Sequence, residues 1–240
     1  MKNLLIVGGS SEIGRSLLDA VSDDYDTIYV HYHSNKEALF PYQERLGKKV
    51  HLIEADFLDE KSTKNFSECI KELNITHMVH LPSIRIENQR FAKLTWSDFE
   101  RSLDSQVRSA YYTLHAVLPQ MAKLKYGKIV ILLTSCTKWV PPKYLSSYVT
   151  SKYALMGLMK SVASEYAEKG ITINGVSPSM VETRFLENIP SLVAEQNAAN
   201  SPLKRNAKPD DIIPMIRFLL SDDSKYITEQ NILISGGNII

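Results

Sequence analysis

The sequence predicts an α/β fold, a doubly wound parallel sheet of seven strands in a single domain. Three observations predict it. Short apolar, β-branched runs alternate with helical stretches from one end of the chain to the other. The runs are apolar almost without interruption, as in LLIV and KIVILL, which suits strands buried on both faces. A glycine turn follows the first run directly, in VGGSSEIG. Strand, helix, strand alternation requires crossover connections, and these place helices on both sides of a parallel sheet.

The strands are expected at Asn3 to Val7, Thr27 to Tyr32, Lys49 to Glu54, Thr76 to Leu81, Lys128 to Leu133, Ile171 to Val176 and Asn231 to Ser235. Helices are expected at Ile13 to Val21, Lys36 to Leu46, Lys61 to Leu73, Asp98 to Leu124, Ser146 to Glu168 and Asp210 to Leu220. The one long irregular stretch, 177–209, carries Pro178, Pro190 and Pro202 before Pro209. An irregular loop of that length in a compact domain usually covers a binding site, so it is expected to form a substrate lid.

Composition narrows the function classes. Charges nearly cancel, 28 basic against 27 acidic residues, which leaves no basic excess to meet a row of phosphates and argues against nucleic acid. No apolar run approaches the ~18 residues of a membrane helix. Two cysteines, Cys69 and Cys136, suit a reducing compartment. The MKNLLIVGG start has no signal-peptide pattern. The expectation is a cytoplasmic protein without metal or membrane partners.

The glycine turn is the first candidate site. Pyrophosphate needs a turn free of side chains, so that backbone N–H groups and the positive end of a helix reach it. Gly8, Ser10, Ser11, Ile13 and Gly14 are the candidates, although the spacing is not GxGxxG and a glycine turn here also has a purely steric reading. After the second strand come His33, Ser34, Asn35 and Lys36, with no carboxylate to hold a ribose 2′-hydroxyl. Hydroxyl, amide and cationic groups there suit a 2′-phosphate, so NADP(H) is favoured over NAD(H). The bland reading of the same run is a helix start capped by Ser34.

Tyr148 and Lys152 lie one helical turn apart in SSYVTSKYAL and therefore share a face. A neighbouring ammonium lowers the pKa of a phenol and makes it a usable acid or base. The spacing alone has little weight, because Tyr32 and Lys36 repeat it. Ser135 closes the fifth strand, where ligands sit in open parallel sheets, and Thr134 competes with it for the same role. GxSxG, a P-loop and HExxH are all missing, which removes the α/β-hydrolase, NTPase and zincin readings.

In this order the motifs resemble the short-chain dehydrogenase/reductase family, in its single-domain branch, over nearly the whole chain. The resemblance rests on VGGSSEIG, Asp56-Phe57, the Ser135, Tyr148, Lys152 series, ITINGVSPSMVET, SPLKRNAKPDDI and ILISGG. It implies a Rossmann-like domain over 1–240 and hydride transfer between NADP(H) and a carbonyl or secondary alcohol. It makes Tyr148 the acid or base, gives Lys152 the phenol and the nicotinamide ribose, and has Ser135 orient the substrate oxygen. Gln106 stands where the family's relay Asn is found, Asp56 and Phe57 near adenine, and Thr183 at the carboxamide. Asn174 is expected to be structural. Met180, Phe185 and the residues to Leu203 would cover the substrate. A 3-oxoacyl carrier-protein thioester is the first substrate expected. The alternatives are a sugar or small alcohol, or a weakly catalytic cofactor-binding subunit or sensor. A homotetramer or homodimer paired through the two long helices is implied.

Four positions depart from the family pattern: Glu12 for glycine, His80 to Ser83 for Asn-Asn-Ala-Gly, Gln106 for Asn, and Ser179 for glycine. Glu12 is expected to lie along the first helical turn, where the helix dipole tolerates its charge.

Overall fold

In the computed structural model, residues 1–86, 88–138 and 140–238 are described. The strands are β1 (Asn3–Val7), β2 (Thr27–Tyr32), β3 (Val50–Glu54), β4 (His77–His80), β5 (Gly127–Leu132), β6 (Ile171–Pro178) and β7 (Asn231–Ile234). They form one seven-stranded sheet in the order β3-β2-β1-β4-β5-β6-β7, and every pairing is parallel. Every residue of β1, β4 and β6 is buried, as a sheet sandwiched between helices requires.

The helices are α1 (Glu12–Val21), α2 (Phe40–Leu46), α3 (Glu60–Lys71), α4 (Trp96–Leu103), α5 (Ser109–Leu124), α6 (Ser146–Tyr166), α7 (Ser191–Asn200) and α8 (Pro209–Leu220). One face of the sheet packs Phe66 and Ile70 of α3, Leu114 and Met121 of α5, and Leu155 and Met159 of α6. The other packs Leu17 and Val21 of α1 and Ile212, Ile216 and Leu219 of α8. This is the doubly wound arrangement that the sequence predicts.

Local chemistry fixes the helix starts. Ser11 accepts from the Gly14 N–H and caps α1, Asp59 accepts from the Lys61 and Ser62 N–H groups at α3, and Thr95 and Asp98 form a capping box at α4. Pro209 opens α8, where a missing N–H costs nothing.

The structure corrects three expectations. The helix over 98–124 is broken by a π-helical turn at Asp104–Arg108, between α4 and α5. The 177–209 stretch is not irregular throughout. β6 runs two residues further, to Pro178, a 3-10 turn spans Arg184–Leu186, and α7 occupies ten residues. SLVAEQNAAN has no apolar stripe, so the periodicity that reveals the other helices is missing there. Ser34 caps no helix, because the chain enters a 3-10 turn at Glu37–Leu39 with Lys36 in the cap position.

Three histidines are buried. His31 accepts from the Gly8 N–H at Nδ1, 3.0 Å, and its Nε2 lies 3.1 Å from the Ala55 carbonyl, so it is neutral and protonated on Nε2. His80 Nε2 stands 3.0 Å from Ser109 Oγ, whose proton goes to the Ser105 carbonyl, so Nε2 carries the hydrogen. Its Nδ1 has no partner among the described residues. His77 lies between Thr76 Oγ1 and Tyr126 Oη. Burial pulls His31 and His77 down to about 4 and His80 down to about 3.

In the unfolded chain these groups protonate near pH 6.5, whereas the folded protein resists until about 4 or below. Between those limits the unfolded state binds more protons, so stability is complete above about 6.5 and declines as pH falls towards 4. Thermal unfolding followed by circular dichroism should show the melting temperature dropping across that window. His80→Leu, which removes one titrating group at similar volume, should flatten the drop. An unchanged slope in His80→Leu would contradict its assignment as a buried neutral imidazole.

Candidate active site

Strand order reverses between β1 and β4, and a cavity of about 1010 Å³ opens on their carboxyl side. Its lining includes Ser11, Glu12 and Ile13 of the first turn, Leu81 and Ser83 after β4, Thr134 and Ser135 after β5, and Tyr148 and Lys152 of α6. Thr183, Phe185 and Val193 of the 177–209 segment close it from above.

The glycine turn is shaped by close packing. Gly8 has φ +79°, a left-handed conformation that only glycine adopts without strain. A Cβ on Gly9 would stand 2.3 Å from Val30 Cγ1, and one on Gly14 would stand 2.5 Å from the Gly9 carbonyl oxygen. α1 can therefore approach β1 only with glycine at these points. The Ser11 hydroxyl is committed within the turn, donating to the Gly8 carbonyl and accepting from Gly14 N–H. The backbone N–H groups of Ser10 and Ile13 have no partner among the described residues. Free N–H groups at a helix N-terminus fit a pyrophosphate.

The residues expected near the adenine ribose lie outside the cavity, on the ledge beyond β2 and β3. His33, Ser34 and Lys36 are exposed, and Asn35 is half-buried. His33 Nε2 lies 3.6 Å from Asp56 Oδ2, so these two candidates meet. Asp56 also accepts from the Leu58 N–H. Phe57 does not face a ligand. Its ring is buried and stacks on His31 at 4.2 Å, which makes it a core residue of the β3 turn.

Tyr148 and Lys152 share the cavity face of α6, with Nζ 5.9 Å from the centre of the phenol ring. Lys152 is only 2% exposed, and its ammonium donates to the Leu132 carbonyl at 2.8 Å. Tyr148 sits in a small apolar cluster with Ile86, Leu145 and Phe185. Burial pushes the phenol above its usual value, partly offset by hydrogen bonding with the Thr134 side chain. The sequence-based expectation of a phenol lowered by its lysine is not what the geometry gives. Burial pulls Lys152 itself down to about 7, so it has less charge to offer. The result is a phenol held protonated, beside an ammonium ready to lose its proton. The competing pair is dispersed, because Tyr32 donates to Glu54 and Lys36 lies in the exposed turn beyond the strand.

The two hydroxyls at the end of β5 divide their tasks. Thr134 Oγ1 accepts from the Cys136 N–H and caps the 3-10 turn Ser135–Thr137. The Ser135 side chain makes no hydrogen bond among the described residues and lines the cavity, so it is the freer of the two.

Gln106 is not brought to the cavity. It is fully buried in the π turn, with Nε2 donating to Ser151 Oγ at 2.7 Å, and Ser151 donating to the Tyr148 carbonyl. It braces the first turns of α6 and meets no reacting group directly. Asn174 is structural, as expected, binding the Ile227 carbonyl and the Gln230 N–H. Thr183, Met180 and Phe185 line the cavity, whereas Leu203 is exposed away from it.

Glu12 is the first residue of α1, in the first helical turn as expected. Its carboxylate is not left to the helix dipole. It accepts from Arg184 Nε at 3.0 Å and from the Arg184 N–H at 3.3 Å. Arg184 is a residue that sequence reasoning misses, because its partner lies 172 positions away.

Known proteins are similar to this chain over nearly its whole length. The family model described as enoyl-(acyl carrier protein) reductase matches residues 9–238. The 3-oxoacyl-[acyl-carrier-protein] reductase FabG of Staphylococcus epidermidis is 29% identical, over 98% of this chain and 98% of its own. Among solved structures, levodione reductase superposes with a TM-score of 0.88 at 24% identity, covering 98% of this chain and 96% of its own. A 3-oxoacyl (acyl-carrier-protein) reductase from Agrobacterium tumefaciens with NADP bound gives 0.88 at 20% identity, over 99% and 94%. With a family model spanning nearly its whole length, and the glycine turn and Tyr148–Lys152 face set on one cleft, the chain belongs to the short-chain dehydrogenase/reductase family of oxidoreductases.

Proposed function

We propose that this protein is a cytoplasmic NADPH-dependent carbonyl reductase, acting on an apolar ketone or 3-oxoacyl thioester. The observation that carries the reading is the Tyr148–Lys152 face of α6, presented to an apolar cavity that begins at the glycine turn. A nicotinamide, when bound, would supply the hydride chemistry, held by the backbone N–H groups of Ser10 and Ile13 and by Lys152. Tyr148 donates its proton to the carbonyl oxygen, and Ser135 holds that oxygen by a hydrogen bond. Lys152 stabilises the phenolate as it forms, and its ammonium, held at the Leu132 carbonyl on the cavity lining, would meet the ribose hydroxyls. A phenol kept protonated by burial is in the form that carbonyl reduction requires.

The cavity walls support the substrate class. Ile86, Leu145, Phe185, Leu186, Ile189 and Val193 offer a sugar's hydroxyls few partners, whereas they suit an acyl chain or an alicyclic ketone. Arg90 and Lys143, both on the lining and exposed, bring positive charge to the rim, which suits the phosphate of a carrier-protein arm. The relative from Staphylococcus epidermidis that is named as a 3-oxoacyl carrier-protein reductase supports the same choice. Exposed Tyr111 on α5 and Tyr153 on α6 support pairing of copies through these helices.

The test is NADPH oxidation against acyl thioesters, cyclic diketones and keto sugars. The thioesters or diketones should be turned over in preference to the sugars. Tyr148→Phe should reduce turnover by ~10²–10⁴-fold while NADPH still binds, because only the proton donor is lost. Retention of most of the activity would remove Tyr148 from the mechanism.

Lys152 sets the pH dependence. It must be charged to stabilise the phenolate, and burial holds it at about 7, so the reduction rate should fall as pH rises through that value. Lys152→Met should be slow at every pH and lack this inflection. A flat profile in the unmodified protein would contradict the role.

For cofactor choice, the His33 to Lys36 run contains no carboxylate of its own. NADPH should bind more tightly than NADH at one salt concentration, and Lys36→Ala should narrow the difference. Equal dissociation constants in the unmodified protein would favour an NAD enzyme.

A further inference from the structure

Glu12 lines the cavity at the glycine turn, and a carboxylate beside a pyrophosphate is repulsive unless it is compensated. Here it is compensated by a residue from the other side of the cleft. Arg184 opens the 3-10 turn Arg184–Leu186 at the edge of the cavity, outside its lining but between Thr183 and Phe185, which both belong to it. Its backbone N–H and its Nε both reach one oxygen of Glu12, so the guanidinium is tethered at the mouth of the glycine turn. Burial alone would raise the Glu12 carboxyl, but hydrogen bonds from its own backbone and from Arg184 outweigh it and hold the acid below its usual value, hence ionised.

The tether uses only part of the guanidinium. Neither terminal nitrogen of Arg184 makes a hydrogen bond among the described residues, and the side chain is 55% exposed. Two parallel N–H donors on a planar, permanent cation match two phosphate oxygens. The free Ser10 and Ile13 N–H groups lie on the same turn as Glu12.

We propose that Arg184 is a diphosphate-binding side chain of the dinucleotide cleft, and that Glu12 is the residue that positions it. This rests on the dinucleotide reading of the cleft given above. The pair brings no net charge to the turn, so Glu12 replaces the family's glycine without excluding the cofactor. It also couples the cofactor to the substrate cover, since Arg184 precedes Phe185, whose ring lies 5.8 Å from that of Tyr148.

The experiment is NADPH titration of the full chain, followed by intrinsic fluorescence at two salt concentrations, with thermal melting in parallel. Arg184→Gln should raise the Kd at least tenfold and weaken its salt dependence, and Arg184→Lys should recover part of the loss. Glu12→Gln keeps the acceptor oxygen and should leave the Kd within threefold. Glu12→Ala removes the acceptor and should raise the Kd three- to tenfold, with no further effect when combined with Arg184→Gln. If Arg184→Gln lowers the melting temperature but binds NADPH as the unmodified protein does, Arg184 is only a strut for Glu12 and the proposal is wrong. If the unmodified protein binds neither NADPH nor NADH, the dinucleotide reading fails beneath it.

Discussion

Because β1 lies between β2 and β4, the chain leaving its carboxyl end turns to one face of the sheet, into α1. The chain leaving β4 turns to the other face, into α4 and α5. The divergence leaves a gap above the middle of the sheet, and every cavity-lining side chain discussed above enters from its rim. Holding its floor is the contact between His31 and Gly8. Nδ1 accepts the Gly8 N–H while Nε2 binds the Ala55 carbonyl, so one imidazole ties the turn after β1 to the turn after β3. Only the neutral ring can accept and donate in this way, and burial keeps it neutral.

On that floor the polar groups are arranged by burial more than by mutual attraction. Lys152 lies almost out of solvent, and its ammonium is satisfied by the Leu132 carbonyl at the end of β5. An isolated buried ammonium is costly, so the carbonyl and the pull towards neutrality are two responses to the same desolvation. Tyr148 is shifted the opposite way by the same cause, because for a phenol the charged form is the deprotonated one. Behind them Gln106, Ser151 and the Tyr148 carbonyl form a hydrogen-bonded brace that starts in the π turn. A π turn puts an extra residue into the ladder, and here it is what directs an amide inward from an otherwise regular helix pair.

The parts legible in the sequence are those set by short-range periodicity. All seven strands fall within a residue or two of their expected ends, since buried parallel strands read as continuous apolar runs. The Tyr148–Lys152 spacing is local, but Tyr32 and Lys36 repeat it, and only the order of the surrounding motifs separates the two pairs. What stayed hidden depends on partners far along the chain. The charge of Glu12 is answered by Arg184, 172 residues on, and no window of sequence shows that pairing. Phe57 occupies a motif position, yet its ring serves the core, because its neighbours His31 and Phe66 come from β2 and α3. α7 escaped for a different reason. With no apolar stripe, its helicity rests on alanines and on Pro190 before its first turn.

The cover over the cavity is fastened by contacts that are individually weak. Glu12 with Arg184 holds one edge, and Arg85 with Glu187, 2.9 Å apart, holds the opposite edge across from the loop after β4. Asn188 Nδ2 donates a hydrogen bond to the Ile86 carbonyl. Exposed ion pairs contribute ~0.2–1 kcal/mol each, so the two together account for no more than about 2 kcal/mol. The apolar seat of Phe185 and Ile189 against Tyr148 and Leu145 is small and stands apart from the two main cores. Such a segment is ordered enough to shape the cavity, while its attachment is far weaker than that of the strands beneath it. The division of labour is physical: the sheet, with its buried ladder, fixes where Tyr148 and Lys152 stand, and the lightly fastened cover supplies one wall of the cavity they face.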